Sequence, residues 1–211
     1  MSAKTIYDAL IDAGLTAEGA CGVLGNMKAE SNMQPNIAQR GMTNLSDAEY
    51  TKAADNGKID FVHDAVGYGL CQWTYHTRKR DLLQFSKNWG VSVGAEDMQV
   101  EFFLHEMRES YPKLLKFLSE THDLMTATER VCKEYERPAI NNVAVRYEYA
   151  QEFFEECAAS GGEEVKDSPP DPTIMMLQMI LSYNGYSVKI TGYKDNTTLD
   201  ALQSFICELR G

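Results

Sequence analysis

The sequence predicts a mainly α chain of α+β character, with a helical lobe, a small irregular or β-containing segment around residues 32–76, and a small helical C-terminal appendage. Three features predict it. Apolar residues recur at helical spacing through most of residues 4–159; the period is lost between 32 and 76, where glycine and polar residues dominate; and the stretch SGGEEVKDSPPDP breaks the pattern before a short tail. The breaks place one domain at 1–159, a linker at 160–172 and a small module at 173–211.

Ile6, Leu10 and Ile11 make a first short stripe that Gly14 stops. Thr16 suits the cap of the next helix, Glu18 favours its first turn, and Ala20, Val23, Leu24 and Met27 continue it. In the irregular segment, KIDFVHD and YGLCQWT read equally as strands of a hairpin or as loops. Helices resume near Thr77, with Leu82, Leu83 and Trp89 on one side and Gly90 as a stop. Further helical patterns cover roughly 95–109, 111–120, 123–135 and 141–158, and their short connections predict antiparallel neighbours. The tail carries Ile174, Leu177, Ile180 and Leu181, a turn at Asn184-Gly185, and a second stripe through Leu199, Leu202, Phe205, Ile206 and Leu209. A module near the ~40-residue limit for an independent core must dock on the main domain, a second copy in a homo-oligomer, or a polymer ligand.

A net charge of −11 argues against a nucleic-acid-coating role, since the only basic run is Arg78-Lys79-Arg80. No apolar run approaches the ~18 residues of a membrane span, and MSAKTIYDAL lacks the basic-then-apolar start of a Sec signal. Cys21, Cys71, Cys132, Cys157 and Cys207 are widely spaced without a metal-type pairing, and read as small, mostly buried thiols of a reducing cytosol. Neither metal nor cofactor is expected.

Glu30 follows Met27 by three residues and Val23 by seven, so it projects from the apolar stripe. Asn32 and Pro35 end the helix close by, which puts the carboxylate near the negative end of the dipole. Both effects disfavour the anion and predict a raised pKa, suited to a general acid. The alternative is a helix-end acid bonded to loop amides. Downstream, Gly67 and Gly69 permit close backbone approach, Tyr68, Trp73 and Tyr75 offer flat faces for a sugar ring, and Gln72 both donates and accepts. They form either a binding wall or part of the core. Tyr135 stands near a helix end before Pro138, again as binding residue or core aromatic.

Glu30-Ser31, Gly69-Leu70-Cys71-Gln72 and Tyr135-Glu136, in this order, resemble motifs of the lysozyme superfamily, in lytic transglycosylases and goose-type lysozymes. LGNMKAESNMQPN, FVHDAVGYGLCQWTYHTRKR and YERPA resemble more closely the phage tail-type lysozyme domain of bacteriophage cell-wall hydrolases, over about residues 4–158. The resemblance implies a lysozyme-like fold and cleavage of the β-1,4 bond between N-acetylmuramic acid and N-acetylglucosamine in bacterial peptidoglycan, with Glu30 as acid. Asp64 resembles the aspartate before the Gly-aromatic-Gly string of goose-type lysozymes, as a general base or a turn-forming residue. Asp55 and Asp60 are reserves, and His63 is structural. The alternatives are a lytic transglycosylase, or a non-catalytic glycan-binding or tail structural protein. In the tail, Leu177-Gln178, Gly192, Thr198, Ala201-Leu202 and Phe205 weakly resemble peptidoglycan-binding modules. The expected location is the host cytoplasm before release to the wall, or the virion.

Overall fold

The structure, a computed structural model, describes residues 3–138, 142–158, 172–186, 188, 198, 201–202 and 204–206. Two compact units divide the chain, Met1–Ser160 and Gly161–Gly211. The first contains α1 (Ala3–Asp12), α2 (Ala17–Ser31), α3 (Asp47–Asp55), α4 (His76–Trp89), α5 (Glu96–Ser110), α6 (Pro112–Leu118), α7 (Leu124–Arg130) and α8 (Val143–Phe153). A π-helical turn, Val131–Glu136, continues α7, and another, Phe154–Ala158, continues α8. The fold is mainly α, as the helical periods predict.

The first unit is organised around α2. Thr16 caps it as expected, its hydroxyl accepting from the Gly19 amide at 3.0 Å and donating to the Thr121 carbonyl at 2.7 Å. Ala20, Cys21, Val23, Leu24 and Met27 are fully buried; burying a side chain such as Val23, Leu24 or Met27 is worth roughly 1.5–3 kcal/mol. Gly19, Gly22 and Gly25 repeat every three residues and let other backbones close in, against Leu118, Ala127 and Arg146 respectively. A helix buried on nearly every side holds its last turn, and therefore Glu30, in a fixed place.

The segment between residues 32 and 76 is less irregular than its composition predicts. It contains α3, started by a capping box in which Ser46 and Glu49 bond reciprocally. The helix buries only Tyr50 and Ala54, too few apolar positions to show a period. Among the described residues, extended pairing is limited to two isolated antiparallel bridges, Ala38 with Tyr68 and Tyr68 with Trp73. KIDFVHD forms turns rather than a strand.

The second unit contains α9 (Pro172–Tyr183), which buries Gln178 and Leu181. Gln178 donates to the Thr198 hydroxyl at 3.0 Å, and the Tyr186 and Phe205 rings meet edge to face. Ile180, expected on the buried stripe, is 44% exposed. Residues 159–171, Leu199, Leu209 and Cys207, on which parts of the linker, tail and thiol expectations fall, lie outside the described residues. The other four cysteines are buried. Among the described residues, no helix is long and apolar enough to cross a membrane.

Candidate active site

Glu30 occupies the last turn of α2, beyond which Asn32 and Met33 both take positive φ, 52° and 63°, and turn the chain away. The carboxylate is not alone, as its apolar stripe suggests. Arg146 of α8, itself buried, donates from Nη2 to Glu30 Oε1 at 2.6 Å and from Nη1 to Asn26 Oδ1 at 3.1 Å. Asn26 is fully buried and fixed in turn, its amide donating to the Gly22 carbonyl at 2.8 Å and the Thr128 carbonyl at 3.1 Å. Asn26 and Glu30, one turn apart, thus grip one guanidinium, and Oε1 of Glu30 is committed to it.

A second buried cluster forms around Glu106 of α5. Its carboxylate accepts Trp73 Nε1 at 2.8 Å, Tyr135 Oη at 2.7 Å, and a fork from Arg78, Nε at 2.7 Å and Nη2 at 2.8 Å. The Arg78 guanidinium also lies 4.5 Å from the centre of the Tyr135 ring. Four donors on one carboxylate satisfy its desolvated oxygens, and they lock Arg78 in place.

Between the clusters runs a groove of three adjoining cavities. The central one, about 710 Å³, is lined by Glu30, Gln72, Tyr75, Arg78, Glu136 and Arg137 among others. Through Glu30, Ile37 and Arg40 it joins one of about 430 Å³ that reaches Arg146 and Tyr149. Through Tyr75, Arg78, Glu136 and Arg137 it joins one of about 570 Å³ that reaches His105 and Glu109. Among the described residues, five non-glycines have positive φ, and three of them, Asn32, Gln72 and Arg137, border this groove. Such backbone concentrates at functional sites. Glu136 ends the π-helical turn and is half-buried; burial, then the negative charge of Glu30, push its carboxyl well above the usual range, against the opposing pull of Arg78 and Arg146.

The residues singled out from sequence divide clearly. Glu30 and Gln72 line the central cavity together. Tyr68 and Trp73 do not, because both are fully buried: Tyr68 packs on Tyr50 and Phe61 and its hydroxyl pairs with Thr51 at 2.7 Å, while Trp73 packs on Phe102. Tyr135 is also buried and, of the three cavities described, borders the one around His105. The exposed aromatic at the groove is Tyr75, 63% accessible. Asp64 lines neither described cavity of Glu30: Lys79 of α4 and the Val66 amide, at 3.0 Å, bond one oxygen, and the Tyr50 hydroxyl, at 2.7 Å, bonds the other. Lys79 is fully buried, so Asp64 serves as its counter-ion, a structural task that occupies both oxygens. Asp55 accepts Ser92 Oγ at 2.6 Å and the Val93 amide at 2.8 Å; Asp60 pairs with His63 at 2.9 Å on the surface. Arg78, Glu106, Glu136 and Arg146 were not singled out from sequence. The Tyr135-Glu136 pair carried a signal for Glu136, but nothing local marks Arg146, 116 residues from its partner.

Among the described residues, no group of three or more His, Cys, Asp or Glu is placed to hold a metal ion. Comparison with known proteins gives two findings. Morphogenesis protein 1 of Bacillus phage B103 is 27% identical over 173 residues, which cover 79% of this chain and 42% of that protein. The chain therefore spans less than half the length of this relative. A profile of the phage tail lysozyme family matches residues 1–156, which include α1 to α8, Glu30 and the whole groove. The chain belongs to the phage tail lysozyme family.

Proposed function

We propose that the groove binds a glycan strand of bacterial peptidoglycan and cleaves the β-1,4 bond between N-acetylmuramic acid and N-acetylglucosamine, with Glu30 as the acid. The observation that carries this reading is the position of Glu30 where two of three adjoining cavities meet, on a helix end clamped from several sides. A row of cavities suits an extended polymer, and Tyr75 offers a sugar ring an exposed aromatic face. Arg146 holds Oε1, so Oε2 is the oxygen that delivers the proton to the departing sugar. The carboxylate left behind is stabilised by the same guanidinium, without reorganisation.

The test is digestion of purified cell walls by the full chain and its Glu30→Gln variant, read by turbidity and by mass spectrometry of the products. We expect a loss of about 10²–10⁴-fold in the variant and wild-type products that carry one added water per cut. Products short of that water would make the protein a lytic transglycosylase. Equal rates in both proteins would remove Glu30 from the chemistry, and an inactive wild type would leave a glycan-binding or structural role. Likeness to a protein named for morphogenesis supports a virion component over a free endolysin. Immunoblotting of gradient-purified particles checks that placement, and an absence from particles would reverse it.

A further inference from the structure

The groove contains a second carboxylate that the reading above does not use. Glu136 lines both the central cavity with Glu30 and the neighbouring cavity toward His105. It differs from the acids that are held by close partners. Asp64 is held by Lys79, Tyr50 and Val66, Asp55 by Ser92 and Val93, and Glu106 by Trp73, Tyr135 and Arg78. Among the described residues, Glu136 has no hydrogen bond or ion pair, so both oxygens are free for a ligand. Its placement depends on two local departures from regular helix, the π-helical turn Val131–Glu136 and the left-handed Arg137 at φ 52°. Both irregularities cost free energy that a plain helix end would not, and π-turns recur at functional sites.

We propose that Glu136 is the second catalytic carboxylate of the groove, acting with Glu30 on one glycosidic bond as the group that takes a proton from the attacking water. The proposal rests on the reading of the groove as a glycosidase site. Around Glu136 stand Glu30 from α2, Arg78 from α4, Glu106 from α5, Arg146 from α8 and its chain neighbour Arg137. Burial and the negative charge of Glu30 raise the Glu136 carboxyl well above the usual range, which makes its ionised form a stronger base than an exposed glutamate.

In the reacting state, with Glu30 protonated and Glu136 ionised, the bond from the anomeric carbon to the bridging oxygen breaks as the oxygen takes the proton from Glu30. Water adds to the anomeric carbon from the other face, and its released proton goes to the Glu136 carboxylate. The product is inverted at that carbon, and the pair ends with Glu136 protonated and Glu30 ionised against Arg146. Exchange through solvent restores the starting state. An inverting pair of this kind requires carboxyls about 6.5–9.5 Å apart to admit the water.

Two measurements on the full chain test the proposal. Carboxyl carbon NMR titration reads the coupling directly: the Glu136 midpoint should drop in Glu30→Gln as the second cause of its raised value is removed, and an unmoved midpoint overturns the pairing of the two carboxylates. Kinetics on purified cell walls reads the role. Glu136→Gln should lower kcat by about 100-fold or more while KM stays within about threefold, and azide should restore part of the rate as a substitute nucleophile that needs no base. Activity of Glu136→Gln within about threefold of wild type overturns the proposal, and if Glu30→Gln is dead at the same time the glycosidase reading survives without it. A wild type that cleaves no wall glycan removes both.

Discussion

Arg146 reaches across from α8 to hold Glu30 at 2.6 Å, and the same guanidinium holds Asn26 one helical turn earlier. The pair is buried, with only 7% and 18% of the two side chains accessible. Arg146→Met therefore strands a carboxylate beside the core, and the expected loss of stability is about 3–5 kcal/mol. Chemical denaturation would measure it. Folded Arg146→Met should also cleave more slowly, since the carboxylate formed on proton donation loses its stabilising cation.

Asp64 and Lys79 make the contrasting pair. Burial depresses the Lys79 pKa and Asp64 counters it, the expected balance for a cation kept inside a core. Asp64→Asn should lose about 3–5 kcal/mol by leaving that cation uncompensated, while turnover per folded molecule stays near wild type. Lys79→Met combined with Asp64→Asn should cost less than the two single changes added together. A collapse of kcat in a stably folded Asp64→Asn would restore Asp64 as the base.

How much of this was legible in the chain depends on the range of each interaction. The Thr16 cap, the Gly90 stop and the position of Glu30 on the α2 stripe are local and follow from spacing over a few residues. The capping box at Ser46 and Glu49 was equally local, yet a nine-residue helix with two buried side chains gives no hydrophobic period to find. Tyr68 and Trp73 show the limit of aromatic composition. Their alternation with glycine fits a sugar wall, but the bridges pairing Tyr68 with Ala38 and Trp73 turn both rings into the core and leave Tyr75 outside. Arg146 and Glu106 are set entirely by tertiary contacts, and no sequence pattern announces them.

Gly25 connects the fold to the site. A Cβ there would fall 2.8 Å from the Ala150 Cβ and closer still to the Arg146 carbonyl oxygen, both in α8. Gly25→Ala must push α8 outward, at a cost of about 1–3 kcal/mol for overpacking. The displacement carries Arg146 away from Glu30, so activity should fall by more than the change in folded population explains. Parallel thermal melts and wall-lysis rates check this, and a variant with unchanged specific activity would show that α8 absorbs the strain elsewhere.

Tyr75 offers a separate test of the sugar path. It stands 63% exposed beside Gln72 and Arg78, with its ring against His76 at 4.5 Å between centroids. Removing an exposed side chain changes stability by no more than about 0.5 kcal/mol. Tyr75→Ala should therefore melt like wild type while its KM for cell walls rises and kcat holds, the signature of lost uniform binding. Pelleting with purified walls would measure the same loss directly.

Glu136 should leave a mark on stability as well as on rate. Burial and the charge of Glu30 raise its folded pKa well above that of a carboxyl in the unfolded chain. Between those two values the folded state binds more protons than the unfolded state, so stability falls as pH rises. The contribution is fully present below the unfolded value, about 4.3 for a glutamate, and is lost as pH passes through the raised folded one. Glu136→Gln removes the ionisable group and with it the loss. Its Tm should exceed that of wild type near neutrality, the two should converge near pH 4, and the pH slope between should flatten in the variant. Stability gained by deleting a groove acid, together with activity lost, is the trade expected where an unpaired carboxylate is kept for chemistry. Calorimetric scans across that range would decide it, and parallel pH profiles for the two proteins would mean that Glu136 keeps its charge in the folded chain.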